Sequence, residues 1–179
     1  MRILAAFLLA LPTLVFAGWI NQSGESLPDT DASKAVGDFG AQMIFVSDER
    51  ELLSLWRTPS ETVNVKTIDK VETSGFVNAF IVFGGCKPDI SGNCSVTMRF
   101  RVLQPDGKVY AETPAMEVWK EKPVPPGKSI ELSVDYLKIR IEPNDQIGQY
   151  TVQAQVKDEN ASIVMQLKRS FTASKRGET

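Results

Sequence analysis

The chain has 179 residues, with 20 Lys and Arg against 22 Asp and Glu for a formal net charge of −2, and it contains no histidine. The missing imidazole excludes Ser-His-Asp and Cys-His catalysis and every His-containing zinc site, and two cysteines alone do not complete a tetrahedral one. Weak acidity and the absence of a Lys/Arg-rich run argue against nucleic acid as a partner.

Residues 1–17 read as a cleavable signal peptide. Arg2 supplies the positive start, Ile3 to Leu11 and Leu14 to Phe16 the apolar core, and Val15-Phe16-Ala17 the small-residue exit. The apolar run is shorter than the roughly 20 residues of a membrane span, and no Cys follows it to carry a lipid anchor. Removing the first 17 of 179 residues leaves 162, with 19 basic against 22 acidic groups, or −3. That length predicts one domain with a substantial core. The mature chain is expected to have no membrane span and to be periplasmic or secreted.

Residues 18–39, rich in Asn, Ser, Gly, Asp and Pro, read as a flexible mature N-terminus. The domain proper is expected over 40–173. Gln42 to Val46 is a short apolar run, a first strand. Ser47 or Asp48 can then cap a short helix with acids in its first turn and Leu52, Leu55 and Trp56 on one face, ended by Pro59. From Val63 the pattern becomes β, with Val63, Val65 and Ile68 alternating with polar residues. Phe76 to Phe83 is nearly all apolar and predicts a buried central strand. Cys94 to Val102 alternates cleanly, with Val96, Met98, Phe100 and Val102 on one face.

Cys86 and Cys94 flank a segment rich in turn formers, Lys-Pro-Asp-Ile-Ser-Gly-Asn. In an oxidising compartment they are expected to form a structural disulfide, contributing about 2.5 kcal/mol by loop entropy. Redox pairs are usually separated by two residues and sit in basic surroundings, neither of which is present. The strands on either side of this loop are expected to pair as an antiparallel hairpin.

Gln104-Pro105-Asp106-Gly107 is a turn, and Lys108 to Tyr110 resumes the sheet. Pro123, Pro125, Pro126 and Gly127 form a loop. Alternating strands follow over 130–134, 137–141, 148–156 and 162–172, the last with Arg169 on the same face as Ile163, Met165, Leu167 and Phe171. Residues 174–179 are a polar tail. Eight or nine short strands with turn residues between them predict a mainly β fold, an antiparallel immunoglobulin-like sandwich with one short N-terminal helix.

Asp145-Gln146-Ile147-Gly148-Gln149-Tyr150 resembles the start of strand F in immunoglobulin-like domains. The resemblance implies that the Tyr150 hydroxyl bonds back to upstream backbone and has a structural role. The cross-sheet disulfide of antibody domains would need a Cys near Val152, and none is there. Taken whole, residues 40–173 are similar to a group of uncharacterised exported bacterial proteins. That group carries a Gly-Cys…Cys loop, a Pro-Asp-Gly turn, a Trp before a Lys-Pro-x-Pro-Pro stretch (Trp119, Lys122 to Pro126) and a late Gly-x-Tyr-x-Val strand. The resemblance implies compartment and fold and transfers no active site.

Trp119, with Lys120 and Lys122 beside a proline-rigid loop, is the candidate partner-binding surface; the competing reading is a Trp covering the edge of the core. Asp89 and Asn93 are too few oxygens for Ca²⁺. Asp135 and Glu142 are a formal acid–base pair of a kind any exposed sheet shows. Asn-x-Ser sequons at Asn21, Asn93 and Asn160 matter only in a eukaryotic secretory route. No cofactor site and no catalytic residue is expected. The leading reading is a non-catalytic exported binding or accessory protein of the bacterial envelope whose partner is another envelope or secreted protein. The alternatives are a secreted inhibitor or chaperone-like protein, and a His-free hydrolase using paired carboxylates about 5–9.5 Å apart.

Overall fold

The computed structural model describes residues 19, 27–57, 64–126 and 129–177. The expected signal peptide, Pro59, Val63 and Gly127 lie outside them. The described elements are β1 (Ser33–Val36), β2 (Phe39–Val46), α1 (Glu49–Arg57), β3 (Lys70–Glu72), β4 (Phe76–Gly84), β5 (Asn93–Leu103), β6 (Val109–Glu112), β7 (Met116–Pro123), β8 (Glu131–Leu132), β9 (Leu137–Arg140), β10 (Gly148–Asp158) and β11 (Ile163–Ser174).

They form two sheets. One runs β1-β2-β4-β8, with β9 also on β4; the other runs β3-β11-β10-β5-β6, with β7 also on β5. All pairings are antiparallel except β3 on β11. The alternation explains the packing. Met98, Phe100, Val102, Tyr150, Val152, Val156, Met165, Leu167 and Phe171 meet Met43, Phe45, Val77, Ile81 and Phe83 across the space between the sheets.

β4 is apolar on both faces because each face is covered. Its Phe80 and Val82 point outward into a second cluster with Ile44, Val46, Leu132 and Leu52 of α1. Asp48 caps that helix, its Oδ1 accepting the N–H groups of Arg50 and Glu51 at 2.8 and 3.1 Å. The packed stripe is Leu52, Leu53 and Trp56, while Leu55 is exposed. This shifts the expected Leu52–Leu55–Trp56 face by a residue: 52, 53 and 56 lie on one side of a 3.6-residue turn, as 52, 55 and 56 also do. Val65 and Ile68 are half-buried against the two clusters without forming a strand.

Three other expectations are corrected. The strands around the cysteines do not pair: β4 and β5 lie in opposite sheets, so residues 85–92 form an arch between sheets rather than a hairpin loop. The cause is partner choice. β4 pairs with β2, β8 and β9, and β5 with β10, β6 and β7, so that both bury their inward faces against one another. The stretch 18–39 is not uniformly loose. β1 pairs with β2, and the Trp19 indole packs on Gly40, where an added Cβ would meet the ring at 3.1 Å. Trp19 donates its indole N–H to Lys34 O at 3.3 Å. Among the described residues, backbone pairing places Ser33–Val36 against β2 despite their polar surroundings. Finally, the expected strand over 130–134 shortens to Glu131–Leu132, because the chain then crosses between sheets. Ser133 N–H donates to Ile81 O, and Val134 and Asp135 donate to Val118 O and Glu117 O. This crossing closes one side of the sandwich.

The corner before β10 has the geometry the resemblance implied. Tyr150 is fully buried and donates its hydroxyl to Gln146 O at 2.9 Å. Its ring stacks on Phe171 at 5.3 Å and receives the edge of Tyr110 at 5.5 Å. The fold is an antiparallel immunoglobulin-like sandwich with an added helix. Its tail is shorter than expected: β11 runs to Ser174, and Arg176 N–H reaches Thr73 Oγ1 at 3.3 Å.

Candidate functional site

β4 delivers the chain to Gly85 at the end of the sandwich. Gly85 has φ 68°, and an added Cβ would lie 1.8 Å from Asp38 O, so no other residue fits the turn out of the sheet. The arch then carries Cys86 back against Cys94 at the start of β5, and the two form the expected disulfide with their Cα atoms 6.0 Å apart. Both sulfurs are interior, since Cys86 and Cys94 are buried in the main core.

The arch is held from three sides. Asp89 Oδ1 accepts the N–H groups of Ser91 and Asn93 at 2.8 and 3.0 Å, folding the tip on itself. Asp158, fully buried at the end of β10, accepts Lys87 N–H through Oδ2 at 2.8 Å. Its Oδ1 accepts Asn160 and Ala161 N–H at 3.0 and 3.1 Å. Asn160 in turn donates its amide to Lys87 O and Asn93 O at 2.9 and 3.0 Å. On the other flank, Val124 N–H reaches Gly92 O at 3.2 Å, tying the proline loop to the arch. One covalent bond and this hydrogen-bonded bracket fix the loop from both ends.

At its tip stands Ile90, fully exposed at 108% of its reference area. The other large apolar residues exposed among those described do not pass 49%. The arch is thus held on three sides while its β-branched apolar tip stands clear of the protein.

The sequence-expected surface residues sit beside this arch with divided roles. Trp119 is half-buried, 5.8 Å from Phe83, with its indole N–H donated to Pro123 O at 3.1 Å. It covers the core edge and stiffens the proline loop. Lys122 lies 4.8 Å over the Trp119 ring and 3.9 Å from Glu117. Lys120 is exposed, opposite Ser95 on β5. Ile90 is the residue that sequence reading missed. Its signal was an isoleucine in a stretch of turn formers too short and too polar to bury it.

The remaining candidates are accounted for by their partners. Asp135 Oδ2 accepts Glu117 N–H at 2.9 Å, and Glu142 pairs with Arg140 at 3.5 Å. The two carboxylates therefore serve different contacts. Tyr110 donates to Asp145 Oδ2 at 2.7 Å, and burial, followed by that carboxylate, holds its phenol well above the usual tyrosine range. Among the described residues no group of three or more His, Cys, Asp or Glu side chains is placed to hold a metal, and no helix is long and apolar enough to cross a membrane.

No protein-family model and no curated protein sequence matches the chain. Among solved structures it is similar to a family 123 glycoside hydrolase from Clostridium perfringens, at 10% identity over 76% of this chain and 27% of that one, with a TM-score of 0.39. It is also similar to a CARDB domain from Pyrococcus furiosus, at 14% identity over 61% of this chain and 83% of that one, TM-score 0.35. A Niemann-Pick type C2 protein from the Japanese carpenter ant shows 6% identity over 74% and 89%, TM-score 0.38. The chain thus spans about a quarter of the length of the hydrolase. At these scores the likenesses decide nothing about chemistry, and the fold rests on the sheets and the tyrosine corner described above.

Proposed function

We propose that the protein is a non-catalytic, exported contact module of the bacterial envelope that docks another exported protein through the disulfide arch. The observation that carries this reading is Ile90 at full exposure on a loop locked by Cys86–Cys94, Asp158 and Asn160. Preorganisation removes the ordering cost of the loop on binding, and burying an isoleucine side chain contributes about 1.5–3 kcal/mol. Lys122 and Lys120 flank the arch and suit an acidic rim on the partner. The inner disulfide fits an oxidising compartment, which supports export. An inhibitor or chaperone-like protein would use the same arch and differs only in what docking does to the partner.

The test immobilises the oxidised protein and captures binders from the exported fraction of the source cells. Wild type is expected to retain a partner that Ile90→Asp loses, with an unchanged melting temperature, since a fully exposed substitution away from special features stays within about 0.5 kcal/mol. Equal retention by both would refute the arch as the docking element.

A further inference from the structure

The outer face of the six-stranded sheet holds a groove of about 360 Å³ above the β5–β10 pair. Register places its side chains in two rungs. Arg99 lies opposite Gln155, which lies opposite Gln166. Arg101 lies opposite Gln153 on one side and Glu112 on the other. Thr113 forms a wall, its hydroxyl accepting Phe100 N–H at 2.9 Å and its N–H reaching Phe100 O.

The partners within the groove are unevenly used. Arg101 is in an ion pair with Glu112. Among the described residues, Arg99 and the amides of Gln153, Gln155 and Gln166 have no hydrogen-bond or ionic partner. One free guanidinium and three free primary amides therefore share one concave surface in a chain of net charge −2. Guanidinium prefers a carboxylate or phosphate, which it meets with two parallel hydrogen bonds. Each amide offers donors and an acceptor together, the complement of a hydroxyl. The only apolar lining residue, Phe100, is buried beneath the floor, so nothing in the groove rewards an apolar peptide side chain. The cation density is also too low for a nucleic-acid track.

From this charge and hydrogen-bond complementarity we infer that the groove binds a carboxylate-bearing polysaccharide of the uronic-acid type. A carboxylate sits on Arg99 and ring hydroxyls sit on the three glutamines. Arg99 and Arg101 lie two residues apart on one face, about 7 Å, so Arg101 reaches a second carboxylate only by leaving Glu112.

The test is affinity electrophoresis of the full exported chain through gels holding polygalacturonate, its methyl ester, or polyglutamate. Retardation is expected with polygalacturonate alone. Arg99→Ala is expected to weaken it about tenfold or more, the worth of a charge-assisted hydrogen bond. Gln155→Ala weakens it less, and Glu112→Gln strengthens it by freeing Arg101. All three positions are on a solvent face, and an unchanged melting temperature verifies the fold. No retardation by polygalacturonate, equal retardation by polyglutamate, or indifference to both Arg99→Ala and Gln155→Ala would each overturn the inference.

Discussion

Asp158→Asn separates the bracket from the disulfide with almost no change of volume. The wild-type carboxylate accepts three N–H groups, two from its own turn through Oδ1 and one from Lys87 through Oδ2. A carboxamide has one acceptor oxygen and one NH₂. The orientation that keeps the two turn bonds turns the NH₂ toward Lys87 N–H, placing donor against donor. The substitution therefore keeps the β10–β11 turn and breaks the bond from Lys87 N–H of the arch. Losing one hydrogen bond to a charged acceptor costs about 1.5–3 kcal/mol, and facing donors in a fully buried site place the effect at the upper end. At 2–4 °C per kcal/mol for a domain of this size, the melting temperature falls by roughly 5–10 °C. The decisive readout is amide exchange. Lys87 N–H is expected to lose protection while Asn160 and Ala161 keep theirs, and Cys86–Cys94 stays oxidised. Protection of Lys87 equal to wild type would refute the bracket as the second lock on the arch.

Cys86→Ala with Cys94→Ala removes a ring of about nine residues and is expected to cost about 2.5 kcal/mol in chemical denaturation, with far-UV circular dichroism unchanged. Tyr150→Phe removes the hydroxyl bond to Gln146 O and is expected to lower stability by about 1 kcal/mol in the same assay. Burial holds the Glu131 carboxyl above its ordinary value of 4.5, only partly offset by a hydrogen bond from Trp56. The folded form thus binds this proton more tightly than the unfolded form, and ionisation at rising pH costs stability. Glu131→Gln is therefore expected to exceed wild-type stability above the folded-state pKa and to match it below pH 4.5 in melts across pH; the opposite trend would contradict the burial.

Strand positions were legible where one face of the strand is solvated: the alternations at 94–102 and 148–156 correspond to β5 and β10. Partner choice was not. β4 followed by a turn-rich loop and β5 reads as a hairpin locally, and only the second core, made by α1, Trp19 and β8, explains why β4 needs cover on both faces. The candidate site shows the same division. The cysteine pair, Trp119 and Tyr150 declare themselves by residue type, and Tyr150 also by its motif. Asp158 and Asn160 read as an ordinary turn, since their contacts to Lys87 lie more than 70 residues away in sequence. Ile90 was overlooked because apolar residues are normally sought at core periodicities, and its position has none. β1 escaped notice for a related reason: its strength lies in backbone pairing with β2 rather than in side chains.

The proposed docking element is the arch tip at Ile90. The direct measurement places a photo-reactive amino acid at position 90 in the exporting cell, and for comparison at Val109, which is 49% exposed at the opposite end of the sandwich. A single covalent adduct from position 90, absent from position 109 and suppressed by excess unmodified protein, is the predicted result. No adduct at 90, or the same adducts from both positions, would contradict the account.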